Sequence, residues 1–135
     1  HIPEDYIESV PQRLQIYRRI ADIKTDDDAS DVIDELVDRF GDPPASVEGL
    51  IRIALLRGKA SANDVYEITR QNDCVLLKLS AMNMEKIARA AGHFKGRFVV
   101  KAGRDVPHIE VRLLKGEKQL SLIERIFDYM EESDE

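Results

Sequence analysis

The chain has 135 residues, 43% of them hydrophobic and 34% charged, which is enough material for one ordinary core and too apolar for a disordered chain. Its 26 acidic and 20 basic residues leave a formal charge of −6. That sign argues against a protein whose affinity comes from neutralising nucleic-acid phosphates, and no apolar run approaches the roughly 20 residues that cross a bilayer. The opening His1-Ile2-Pro3-Glu4-Asp5 has neither an initiator Met nor a basic-then-apolar leader, so a piece of a longer, cytoplasmic protein is expected. The single cysteine, Cys74, excludes an internal disulfide and reads as a small buried hydrophobe.

Three helices are predicted first. Ser9 is a good N-cap, Pro11 suits an early helical position, and Gln12 stands at capping-box distance from Ser9. Val10, Leu14, Tyr17, Ile20 and Ala21 then recur at helical spacing and predict one buried stripe. Thr25 caps the second helix, and Asp26, Asp27 and Asp28 fill its first turn, where negative charge complements the helix dipole. Its predicted inner face is Ala29, Val32, Ile33, Leu36, Val37 and Phe40, and Gly41 with Pro43-Pro44 ends it. A third helix is predicted over about 45–60, weakened by Gly49 and Gly58.

The period then changes. Val65 to Thr69 and Cys74 to Leu79 read as strands around a turn at Gln71-Asn72-Asp73. A short helix follows over about 84–91, closed by Gly92. Arg97 to Lys101 and Ile109 to Leu114 form a second strand pair. A last helix is predicted over about 117–131, with Leu120, Ile123, Phe127 and Met130 inward and a fraying acidic tail at 131–135. The order ααα-ββα-ββα, with strands joined by tight turns, predicts an α+β fold: three N-terminal helices and then an antiparallel ββα-ββα unit. One domain over 1–135 is expected, with a helical part over about 9–62 and an α+β part over about 63–132.

Motifs for chemistry are missing. Gly58-Lys59-Ala60 lacks the upstream glycine and following Ser or Thr of a phosphate loop, and Gly92 to Gly96 holds no G-x-G-x-x-G. His1, His93 and His108 are scattered, with no ligand spacing, so no metal is expected. Cys74 has no histidine partner at a recognisable spacing, and no catalytic residue and no cofactor are expected. A basic stretch of Lys86, Arg89, Lys95, Arg97, Lys101 and Arg104 encloses Phe94 and Phe98, which are better suited to a core than to stacking on bases. The most suggestive feature is acidic. Asp34, Glu35 and Asp38 stand at i, i+1 and i+4 on the second helix, where they form either a solvated face or a docking face for a basic partner.

Three segments then carry a resemblance. They are Ile2-Pro3-Glu4-Asp5-Tyr6-Ile7; Gln12-Arg13-Leu14 with Tyr17-Arg18-Arg19-Ile20-Ala21; and Glu35-Leu36-Val37-Asp38-Arg39-Phe40-Gly41-Asp42-Pro43-Pro44, followed by Ile53-Ala54-Leu55-Leu56. Over residues 2–56 they resemble the C-terminal domain of bacterial transcription-repair coupling factors (Mfd). Gln12 replaces the family's usual Asn, and Asn63 stands near a usual Gly. The resemblance implies a parent that is an ATP-driven DNA translocase, which removes stalled RNA polymerase and recruits nucleotide excision repair. It implies a non-catalytic, autoinhibitory domain that docks on the UvrB-like module of the same polypeptide and hides the surface needed by UvrA. By that resemblance Glu35 and Asp38 would face arginines of that module, and Asp34 of the same helix pattern is expected to join them at the partner-binding surface. A nucleic-acid-binding module and a purely structural cap are the alternatives.

Overall fold

The computed structural model describes residues 1–132; residues 133–135 of the predicted fraying tail lie outside the described set. The fold is α+β, with helices α1 (Val10–Ala21), α2 (Asp26–Phe40), α3 (Ala45–Ala62), α4 (Met84–Ala91) and α5 (Gln119–Met130) and strands β1 (Val65–Gln71), β2 (Cys74–Leu79), β3 (Phe98–Lys101) and β4 (His108–Arg112). The chain divides into two compact units, one over residues 1–59 and one from residue 60 onward.

The first unit is helical. Ser9 accepts the Gln12 N–H at the start of α1. A full capping box closes the start of α2, with Thr25 accepting from Asp28 N–H and the Asp28 carboxylate accepting from Thr25 N–H. Before α1, the segment at residues 2–7 is pinned. Ile2 N–H donates to the Tyr17 hydroxyl at 2.6 Å, Tyr6 donates to the Gly41 carbonyl at 2.8 Å, and Ile2 and Ile7 are buried. Burial, then the charge of Asp42, raises the Tyr6 phenol above its ordinary pKa.

The core of this unit departs from the predicted stripes. On α1 the buried positions are Ile16 and Ile20, with Ile23 just beyond the helix, while Val10 and Leu14 are 56% and 52% exposed. On α2, Ala29, Val32 and Leu36 go inward, while Ile33 and Val37 are 37% and 41% exposed. On α2 the cause is seam width: a narrow contact buries Ala29, Val32 and Leu36, so Ile33 and Val37, a step around the cylinder, stay in water. On α1 the buried line through Ile16, Ile20 and Ile23 lies more than a quarter turn round from Val10 and Leu14, so the predicted stripe sits on a different face.

The second unit is a four-stranded antiparallel sheet in the order β1-β2-β4-β3, so the two hairpins join through β2 and β4. Asn72 takes a left-handed φ of 56° in the first hairpin turn. Burial alternates along β2, where Val75, Leu77 and Leu79 are buried, and Ile109 and Val111 of β4 follow the same period. With Ile87 and Ala90 of α4 and Leu122, Ile126, Phe127 and Met130 of α5 they supply the second core. The inner face of α5 is thus broader than predicted, and Leu120 is only half-buried. Its start is also later, because Glu117 is held in the preceding turn by Arg97, Arg125 and Leu114 N–H.

Candidate functional site

Asp27, Asp31, Asp34 and Asp38 stand at i, i+4, i+7 and i+11 on α2, which sets them on one line of the helix, opposite the buried Ala29, Val32 and Leu36. All four are exposed. The outward face is therefore an acidic ridge with a high density of like charge. Only Asp34 and Asp38 of this line were singled out from the sequence. Asp27 and Asp31 extend it toward the N-terminus, and the i+4, i+7 spacing was the signal that could have found them.

The flanks of the ridge differ. On one side stand Ile33 and Val37, exposed and aliphatic. On the other stands Glu35, whose side chain is only 28% exposed and has both oxygens taken. Oε1 accepts from Arg19 Nε at 3.1 Å and lies 3.0 Å from Arg19 Nη2, and Oε2 accepts from Arg39 Nη1 at 3.0 Å. Arg19 belongs to α1, so the carboxylate ties α1 to α2. Among the described residues neither Asp34 nor Asp38 has an ion pair, so the three residues brought together by the sequence pattern play two structural parts. Asp34 and Asp38 present free charge, and Glu35 presents charge already compensated. Asp26, just before the ridge, pairs with Lys59 at 3.2 Å.

The remaining candidates are dispersed. Cys74 is half-buried rather than buried, because it starts an outward-facing row of β2; burial, then the charge of Asp73, raises its thiol above the ordinary pKa, the opposite of an activated nucleophile. His93 stacks on Tyr129 with ring centres 3.7 Å apart and meets Glu132 at 3.1 Å. Phe94 is buried. In the basic stretch, Arg97 pairs with Glu117, Lys101 with Glu110 at 3.2 Å, and Arg89 donates to the Met130 carbonyl at 3.1 Å. Among the described residues no group of three or more His, Cys, Asp or Glu could hold a metal ion, and no helix is long and apolar enough to cross a membrane.

Comparison with known proteins adds the following. A family model described as "TRCF domain" matches residues 1–101. The transcription-repair-coupling factor of Bacillus subtilis is 34% identical over 80 residues, an alignment spanning 59% of this chain and 7% of that protein. That of Escherichia coli K12 is 42% identical over 59 residues, spanning 44% of this chain and 5% of that protein. The chain thus spans less than a tenth of the length of these relatives. A solved structure described as the crystal structure of the C-terminal domain of transcription-repair coupling factor superposes with a TM-score of 0.78 at 18% identity, covering 97% of this chain and 84% of that one. At that identity the likeness is one of fold.

Proposed function

The chain belongs to the TRCF domain family of transcription-repair coupling factors, and on that premise we propose that it is a non-catalytic, autoinhibitory docking domain. It would sit on the UvrB-like module of a longer cytoplasmic polypeptide and mask the surface that UvrA needs in transcription-coupled nucleotide excision repair. Engagement of RNA polymerase by the parent would release it. The observation that carries this reading is the ridge on α2. Asp34 and Asp38 are exposed and lack a cation among the described residues, and the exposed aliphatic Val37 stands at i+3 from Asp34, with Ile33 further round the helix. A surface of that kind suits guanidinium groups set among apolar side chains, because charge-assisted contacts gain strength where neighbouring carbon excludes water.

A weak contact suffices. Two parts of one polypeptide meet at an effective concentration of order millimolar for a short flexible linker, so a modest intrinsic affinity keeps the clamp shut, and a competitor of comparable affinity can open it.

The test is binding of this chain to the separately produced UvrB-like module, at low and moderate salt, with and without UvrA. Docking that weakens with salt and is displaced by UvrA is expected. Asp34→Ala with Asp38→Ala removes two charge-assisted contacts and is expected to weaken it roughly tenfold or more without unfolding the chain. Failure of the folded wild-type chain to bind, together with unchanged UvrA affinity of a parent lacking this domain, would leave a structural cap instead.

A further inference from the structure

We infer that Arg19 sets the affinity of the docking surface by engaging Glu35 in place of the partner's cation. This rests on the docking reading above and assigns a part to a residue of α1, outside the acidic ridge itself.

The geometry is specific. Glu35 stands on the flank of the ridge that carries Asp34 and Asp38, yet each of its oxygens is already matched with a guanidinium nitrogen about 3 Å away: Oε1 with Nε and Nη2 of Arg19, Oε2 with Nη1 of Arg39. The two arginines are unequal. Arg39 lies one turn along the same helix, so its contact is local and reforms readily. Arg19 comes from α1 and takes one oxygen with two donors. A guanidinium arriving from a partner meets free carboxylates at Asp34 and Asp38. At Glu35 it finds a carboxylate that must first give up Arg19. The gain from that third contact is the difference between two similar ion pairs and is small, whereas without Arg19 the Oε1 side of Glu35, with only Arg39 on Oε2, would be open to the partner and contribute more. Arg19 therefore weakens docking, which suits a clamp that must open.

All three side chains are partly solvated, with Arg19 at 43%, Arg39 at 34% and Glu35 at 28% exposure. Solvated pairs exchange partners easily and contribute little to folding, so Arg19 can be removed without loss of the helical unit.

The experiment is a double-mutant cycle on this chain, with affinity for the UvrB-like module as the readout and thermal melting as the check on folding. Arg19→Gln is expected to tighten docking about three- to tenfold at low salt and to steepen its salt dependence. In an Glu35→Gln background the same change is expected to do nothing. Arg18→Gln, which alters net charge equally on an exposed neighbour, is expected to shift affinity less than about twofold. Equal tightening by Arg18→Gln, or tightening by Arg19→Gln that persists without Glu35, would reduce the effect to net charge and overturn the inference. So would unchanged or weaker binding of a folded Arg19→Gln variant. Wild-type chain that does not bind the module at all overturns the docking reading itself; wild-type binding without coupling overturns this inference alone.

Discussion

A Cβ at position 58 would stand 2.6 Å from both the Cα and the carbonyl oxygen of Lys24. Gly58 lies in α3, and Lys24 lies in the link between α1 and α2, so a side-chain-free position lets the helix rest directly on backbone. The obstacle is main chain and cannot swing aside as a side-chain tip would. Gly58→Ala is expected to destabilise the chain by about 1–3 kcal/mol in urea unfolding, the range of overpacking a closed contact. Gly49, in the same helix, has nothing within 4 Å of such a Cβ. There Ala is expected to stabilise by up to about 1 kcal/mol through helix propensity. Opposite signs for two glycines of one helix separate packing from propensity.

The start of α2 gives a second prediction. The Asp28 carboxylate accepts the backbone N–H of Lys24 at 2.9 Å and that of Thr25 at 3.1 Å, and these bonds, Lys24 first, hold its pKa below the ordinary carboxylate value. A depressed pKa means that the folded state favours the ionised form. The contribution is complete above the ordinary carboxylate pKa and is lost as pH falls through the lowered one. Thermal melts taken from neutral to acid pH are expected to show this loss, and Asp28→Asn is expected to flatten that part of the profile. Thr25→Ala, which removes the other half of the capping box, is expected to cost about 1 kcal/mol at neutral pH.

Element order and type were legible because each segment carries its own local signal. Ser9 and Thr25 as caps, Pro43-Pro44 as a stop, and the strand-sized apolar run from Cys74 all act within a few residues of themselves. Which apolar residues enter the core was less legible. Hydrophobicity marks Val10, Leu14, Ile33 and Val37 as candidates, but only the surface packed against each helix decides which face, and how wide a stripe, is covered. The sequence pattern starts α5 at about Glu117, but arginine donors hold its carboxylate in the preceding turn, and no local pattern encodes Arg97 or Arg125 as its partners. At the candidate site the acidic line was visible and the engagement of Glu35 was not, because Arg19 approaches from a different helix. The left-handed residue at the end of α3 is Asp64, with φ of 63°, one position beyond the Asn63 that stands near the family's glycine. Asn63 is instead buried, and it donates to Glu131 at 3.0 Å.

His108 gives a pH dependence of the other sign. Its Nδ1 lies 2.8 Å from the Val106 carbonyl and its Nε2 lies 3.0 Å from Glu110 Oε1. Two acceptors satisfy an imidazolium, which donates from both nitrogens, better than a neutral ring, which donates from one. The Val106 contact, then that of Glu110, raises the pKa above the ordinary histidine value, against burial and the nearby Lys101. With the folded pKa raised, the stabilisation is complete below the ordinary value and is lost as pH rises through the raised one. Stability is expected to decline across that interval on the alkaline side. His108→Gln is expected to remove the decline, and an unchanged profile would show that the ring carries no net coupling to folding.

The second unit has its strongest test at Glu117. Its side chain is 14% exposed and gathers Arg97, itself 12% exposed, together with Arg125 and the Leu114 N–H. Both guanidinium groups also stand over the buried Phe94 ring, with their carbons 5.5 and 5.2 Å from its centre. Arg97 is thus enclosed by an aromatic face, a carboxylate and the Arg112 carbonyl, which it reaches at 2.9 Å. Glu117→Ala takes away the counter-charge and leaves a mostly desolvated cation, an arrangement expected to cost about 3 kcal/mol. Glu117→Gln keeps an oxygen for Leu114 N–H and loses only the charge, so a smaller loss is expected, with the difference between the two variants reporting the backbone bond. Urea unfolding of both variants beside Arg125→Gln apportions the cluster. Arg125 is 47% exposed, and its removal is expected to cost less than about 1 kcal/mol. A loss at Glu117→Ala as small as that would mean that water reaches Arg97 and that the cluster is an ordinary surface network.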